Sequence, residues 1–348
     1  MRRISRIAVA GAATASLALA LAACGSTSTS GSSDSKGNKG LAIAYDVGGK
    51  GDQSFNDAAY AGLEQAQKEF GYETADVEPT EGETDADKEQ RLASLAKQGY
   101  NPVIGVGYAY ASAVKGAAEK FPKTTFGIVD DATINTKNVA DLVFSEEQAS
   151  YLAGVAAAKS TKSNIVGFVG GVDIPLIHKF QAGFEQGVKD TNPKVKVLSQ
   201  YLTQTAEEGG FSSPDKGKTA AEGQIEKKAD VVYAAAGLSG QGVIEAAAAK
   251  KVWAIGVDSD QYKQAALAKY KDFILTSAMK DVAKAVYNLA KSVEDGKPET
   301  GIVRGDLKTG EVSLSDSNPK FADDAELQEA IKTAKEKIIS GEIKVKSS

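Results

Sequence analysis

From residue 41 onward, short runs of consecutive apolar residues alternate with amphipathic stretches, and no other feature restricts the fold as strongly. The runs are LAIAY (41–45), NPVIGVG (101–107), TTFGIVD (124–130), NIVGFVG (164–170), VKVLSQY (195–201), DVVYAAA (230–236), VWAIGVD (252–258) and DFILTSA (272–278). Apolar, β-branched residues at adjacent positions predict strands buried on both faces, as in a parallel sheet. Segments 54–71, 85–99, 146–159, 174–190 and 281–296 read as helices; in the first, Phe55, Ala59, Gly62, Leu63, Ala66 and Phe70 recur at helical spacing. Residues 302–318 lack that spacing and read as strand and turn, and 323–343 read as a last helix opening on a capping Asp. The βαβα order predicts an α/β class fold of doubly wound lobes. There are more strands than one sheet usually holds, so the body is expected to divide into two lobes of similar size, with a break near 141–146.

The N-terminus sets the compartment. Arg2, Arg3 and Arg6 precede an Ala-rich apolar stretch that ends in Leu21-Ala22-Ala23-Cys24. This is the physical design of an export signal over 1–23. Its end resembles the lipobox of bacterial lipoproteins, with Cys24, the only Cys, at the position that would carry lipid. The plainer alternative is a secretory signal with a chance Cys. Residues 24–40 are rich in Gly, Ser and Thr and bury almost nothing, so they read as a flexible tether. The body is then expected on the extracytoplasmic face of a cell membrane, where ATP and NAD chemistry is disfavoured. One Cys and one His in 348 residues exclude disulfide scaffolds and Cys/His zinc sites. A net charge of −5 argues against a nucleic-acid partner.

Several loops carry chemistry. Asp46-Val47-Gly48-Gly49-Lys50-Gly51-Asp52-Gln53-Ser54-Phe55-Asn56-Asp57 leaves the first strand and opens the first helix. Ser54 suits an N-cap, and an aromatic beside Asp and Asn suits a planar polar ligand; Phe55 as plain core is the competing reading. Ala236-Gly237-Leu238-Ser239-Gly240-Gln241-Gly242 precedes another helix, and Asp258 ends the next strand. The glycines run GxxGxG, not in dinucleotide order, but free helix N–H groups and an acid able to accept from vicinal hydroxyls remain. Asp130-Asp131 ends strand 124–130 and is thin as a metal site, since no third ligand is near in sequence. His178, alone on a helix, is more readily structural or solvated than catalytic. No nucleophile elbow or Ser-His-Asp arrangement is visible.

These motifs, in order, resemble the basic membrane protein family of exported lipoproteins: DVGGKGDQSFNDAAYAGL (46–63), IVDDA (128–132), SYLAGVAAA (150–158), GFVGGVDIPLIHKFQAGFEQGV (167–188), AAAGLSGQGVIEAA (234–247) and IGVDSDQ (255–261). The resemblance covers about 41–320. It implies a substrate-binding protein of an ABC transporter, with a purine nucleoside as ligand and a permease as partner. It also implies a type I periplasmic-binding fold, two Rossmann-like lobes joined by a hinge of three segments. Crossings near 144, 258 and 302 would divide the body into 41–144 plus 259–302 and 145–258 plus 303–348. Carried over by motif, Asp46, Ser54, Phe55, Asn56, Asp130 and Asp131 would contact the ligand from the first lobe, with Phe55 stacking on the base. Gly237, Leu238, Asp258 and Lys280 would hold the ribose side. Family members often use two aromatics, whereas position 238 is Leu and the loop 204–217 is long. Phe180 or Phe211 would then supply the second ring, or Leu238 a weaker apolar lid. The expected mode is capture by a monomer without catalysis, cofactor or metal. Two rivals are a type I binding protein for a sugar or signalling molecule, and an exported nucleoside hydrolase built on Asp130, Asp131 and Asp258.

Overall fold

The structure, a computed structural model, describes residues 39–348. The expected signal segment 1–23, Cys24 and nearly all of the 24–40 tether lie outside the described residues. Residues 39–348 fall within one compact unit. It contains two six-stranded sheets.

The first sheet holds β1 (Lys39–Ala44), β2 (Glu73–Val77), β3 (Val103–Gly105), β4 (Phe126–Val129), β5 (Val139–Phe144) and β11 (Gly301–Gly305), in the order β11-β5-β4-β3-β1-β2. All its pairings are parallel. The second holds β6 (Ile165–Val172), β7 (Lys196–Thr203), β8 (Val231–Ala235), β9 (Trp253–Asp258), β10 (Ile274–Lys280) and β12 (Val312–Leu314), in the order β12-β10-β9-β8-β6-β7. Only the β10–β12 pair is antiparallel. The first lobe carries helices α1 (Phe55–Phe70), α2 (Asp85–Gln98), α3 (Ala111–Lys120) and α8 (Val282–Glu294). The second carries α4 (Glu146–Ser160), α5 (Pro175–Thr191), α6 (Pro214–Glu226), α7 (Gly240–Lys250), α9 (Pro319–Ala322) and α10 (Ala325–Ser340).

The expected boundaries need correction at two crossings. β10 pairs with β9 in the second sheet, so 259–280 belong to the second lobe and the chain returns to the first only at α8. β11 pairs with β5 in the first sheet, so the last crossing follows Gly305 and not residue 302. An apolar run marks a strand but not the sheet that receives it. The three crossings are tied together: Ser145 N donates to Gly305 O (2.9 Å), and Asp281 N to Glu311 O (2.7 Å). β2, β5, α3 and α6 are not among the elements expected from the sequence; β2, ETADV, is a half-exposed edge strand, whereas β5 is buried throughout and α3 buries Ala113, Val114, Ala117 and Ala118.

The interior of the second lobe is built around α4, buried on every side from Ala149 to Ala158. A helix that is apolar all round has to be enclosed, and α5, α10 and the sheet enclose it. α5 reaches it at backbone distance because Gly183 and Gly187 lie against the Glu147 and Tyr151 carbonyls, where any Cβ would overlap. α5 is therefore seated rigidly, and its N-terminal turns reach the cleft. At the C-terminus, Asp324 caps α10, accepting from Leu327 N at 3.0 Å.

Candidate functional site

The β1–α1 loop forms the first-lobe wall. Gly48, Gly49 and Gly51 take left-handed conformations (φ 96, 60 and 99°). The helix is capped by Asp52, which accepts from the N–H groups of Ser54 (2.9 Å), Asn56 (2.8 Å) and Asp57 (3.2 Å). Ser54, expected as the side-chain cap, makes no cap bond. Its hydroxyl donates instead to Asp258 Oδ2 at 2.7 Å, across the lobes. Asn56 is also spoken for within the loop: Oδ1 accepts from Asp46 N (3.0 Å) and Nδ2 donates to Asp52 Oδ2 (3.2 Å). Opposite, Gly107 (φ 97°) packs so closely on the Asp46 carboxylate that a Cβ there would displace it.

Two strand ends carry acids in the left-handed region, Asp130 after β4 (φ 69°) and Asp258 at the end of β9 (φ 64°). Such conformations cost energy for a residue with a Cβ, and they concentrate at functional sites. Both carboxylates meet Lys280, the last residue of β10. Its ammonium lies 2.6 Å from Asp130 Oδ2 and 3.6 Å from Asp258 Oδ1. It also sits 4.6 Å from the Phe55 ring centre and 5.6 Å from those of Phe144 and Phe180, a cation–π surround. Burial by itself draws the lysine down, but Asp130, Asp258 and Glu146 outweigh it and hold the ammonium charged. Burial raises Asp130 in spite of Lys280. It also lifts Asp46 to about 7 and Asp52 to about 6.

A small cavity of about 60 Å³, partly open to solvent, joins these groups. Asp46, Phe55, Asn56, Asp130, Phe180, Gly237, Asp258 and Lys280 all line it. Phe180 comes from the second turn of α5, beside Leu176 and Ile177. Phe211, from the long β7–α6 loop, lines it too, its ring against Gly171 and its carbonyl near Gly237. Both aromatic candidates are therefore present.

Three expected contacts are placed elsewhere. Ser54 is fully buried under the cavity as a bond between lobes. Asp131 turns away, its Oδ1 accepting from Thr133 N (2.8 Å) and Thr133 Oγ1 (2.7 Å). Leu238 stands outside the lining and faces Gly48 across the mouth. Lining residues not expected as contacts are Val47, Asp52, Gly107, Tyr108, Leu176, Ile177, Ala235, Ala236 and Val257; all but Tyr108 lie within the quoted motifs and apolar runs. His178 pairs with Asp173 at 2.7 Å and does not line the cavity. Among the described residues no group of three His, Cys, Asp or Glu is disposed to hold a metal ion. The lobes are closed on each other: Gln241 Nε2 donates to Gly51 O (3.2 Å), Ser259 Oγ to Ser54 O (3.2 Å) and Gln261 Nε2 to Gln53 O (3.1 Å).

Two α/β lobes linked by three crossings, closed over a cavity at the carboxyl ends of their strands, define a solute-binding protein of the type I periplasmic fold. A solved structure described as an ABC transporter system solute-binding protein from Aeropyrum pernix K1 matches with a TM-score of 0.76 at 28% identity, over 89% of this chain and 94% of that one. The family described as ABC transporter substrate-binding protein PnrA-like matches residues 40–348, and the chain belongs to it. Relatives include the ABC transporter nucleoside-binding protein BmpA of Lactococcus lactis, 37% identical over 88% of each chain. Basic membrane protein A of Borreliella burgdorferi is 31% identical over 85% of each.

Proposed function

We propose that this substrate-binding protein captures a purine nucleoside (inosine, guanosine or adenosine) between its lobes and presents the closed form to an ABC permease. The observation that carries this reading is the cavity's mix of walls: Phe55, Phe180 and Phe211 offer faces to a planar base, while Asp130 and Asp258 offer acceptors to vicinal hydroxyls. The relative from L. lactis is named for nucleoside binding. The bond from Ser54 to Asp258 and the pair Lys280–Asp130 join the lobes and favour closure over a ligand that both lobes touch. The geometry favours capture over hydrolysis: Asp130 and Asp258 are paired with Lys280, and Asp131 is committed to its own turn.

The cavity's one lysine is already matched by two carboxylates, with Asp46 and Asp52 nearby. A phosphate would have no free cation, and burying an unpaired charge is costly. Titration calorimetry of residues 25–348 with adenosine, guanosine, inosine, cytidine, uridine and ribose is expected to show tight one-to-one binding of purine nucleosides. Inosine 5′-monophosphate should bind about a hundredfold more weakly than inosine, the cost of about 3 kcal/mol expected for a buried unpaired charge. Tighter binding of ribose than of any nucleoside would move the reading to a sugar carrier.

Cys24 is proposed as the lipidated residue, holding the carrier near its permease and raising the effective concentration there. No helix among the described residues is long and apolar enough to cross a membrane. Cys24→Ser is expected to move the protein from the membrane fraction to the soluble fraction; a variant that stays on the membrane would rule the anchor out.

A further inference from the structure

Glu146, the first residue of α4, stands where the chain first crosses between lobes, and neither motif nor cavity lining drew attention to it. It is 1% exposed, and its Oε1 has no hydrogen-bond partner. Its Oε2 accepts from Lys179 Nζ of α5 at 3.3 Å. Lys280 of β10 and Asp130 at the end of β4 act on its charge, and from β8 Tyr233, whose hydroxyl is bonded to Ser150 Oγ (3.0 Å), feels it. Asp258 completes the cluster through Lys280. His178, the next residue after Ile177 on α5, is engaged with Asp173 and takes no part.

The charges divide unevenly between lobes. Lys179, Lys280, Glu146 and Asp258 all belong to the second lobe, and they balance. Asp130 belongs to the first and arrives only on closure, with one oxygen on Lys280 and the other, Oδ1, left without a partner. The closed cluster therefore holds one negative charge too many, in a place where water cannot offset it.

We infer that ligand capture is coupled to proton uptake, and that Glu146 is the residue that takes the proton when Asp130 closes onto Lys280. The carboxylate becomes a carboxylic acid, the proton comes from solvent, and no bond to the ligand changes. Burial first, and Asp130 second, raise Glu146 to about 7 in the closed form, and the part due to Asp130 is what closure adds. Closure thus binds a proton below neutral pH, and affinity falls as pH rises through 7. Glu146 acts on the site through Lys280 and is a positioning residue. This inference deepens the proposed function and uses its ligand.

The test is calorimetry of the protein with inosine and guanosine at pH 6, 7 and 8, in buffers of differing ionisation enthalpy. Binding to the wild type is expected to take up a fraction of a proton at pH 7 and to weaken severalfold from pH 6 to pH 8. Glu146→Gln, which mimics the protonated acid, should remove at least half of that uptake. If Glu146→Gln does not fold, Asp130→Asn removes the extra charge and should lower the uptake likewise. Uptake unchanged in the variant, or wild-type affinity flat across the range, overturns the inference and leaves the nucleoside reading intact. No heat with either nucleoside removes that reading instead. Small-angle scattering of the ligand-free protein then decides for Glu146: the wild type should compact as pH falls from 8 to 6, Glu146→Gln should not, and matching profiles overturn the inference.

Discussion

Replacing Lys280 with Met is expected to weaken ligand capture by a factor of about a hundred to a thousand. Methionine keeps the length and the apolar stem of the side chain but leaves Asp130 and Asp258 facing each other without a cation. Removing one partner of a buried ion pair costs roughly 3–5 kcal/mol, because the surviving charge stays out of water. Lys280 is 3% exposed and bridges carboxylates from both lobes, so this cost falls on the closed form, the one that holds ligand. The open form, in which Asp130 is free to hydrate, escapes most of it. A double-mutant cycle checks the account. Asp130→Asn added to Lys280→Met should recover part of the lost affinity, since it removes one stranded charge. If Lys280→Met costs the same with and without Asp130, the two residues are uncoupled and the closure mechanism argued from them fails.

Phe55→Ala should lower nucleoside affinity by about a hundredfold or more. Stacking of one base on an aromatic ring is worth about 1–3 kcal/mol, and the variant also loses a cation–π contact of about 0.5–2 kcal/mol between Lys280 and the ring. Phe55 is only half-buried, packed against the core and open to the cavity. The melting temperature of the ligand-free protein should therefore change far less than the affinity does. Measured together, the two quantities separate a stacking residue from a core residue. A titration within threefold of wild type would assign Phe55 to the core and leave the base to Phe180 and Phe211.

Both predictions rest on residues that the sequence exposed through their position in motifs. Strand and helix order in the body was readable because burial on two faces demands unbroken apolar runs, while a helix on a sheet demands a stripe at 3.6-residue spacing. For the same reason β2 is not legible: an edge strand such as Glu73–Val77 has no second buried face to advertise. The acids at strand ends were visible because Asp130, Asp258 and Asp46 each follow an apolar run, the position that opens on a cleft in α/β sheets.

What local pattern decides is therefore the element list, the doubly wound architecture and the loops that face the cleft, since each depends on residues a few positions apart. Partnership across the chain depends on how the lobes meet. Ser54 was a cap by every local rule, yet Asp52 takes the helix N–H groups and frees the Ser54 hydroxyl for Asp258, 204 positions away. Asp130 and Asp131 are alike as neighbours in sequence, but the left-handed turn at Asp130 sends one carboxylate to Lys280 and leaves the other to cap a turn with Thr133. β10 joined the second sheet and not the first because parallel pairing with β9 was available to it there. Glu146 carried no motif at all. Only the tertiary structure shows it buried without a partner beside a cluster whose charges do not cancel, because desolvation and charge balance belong to the assembled interior and not to any stretch of chain.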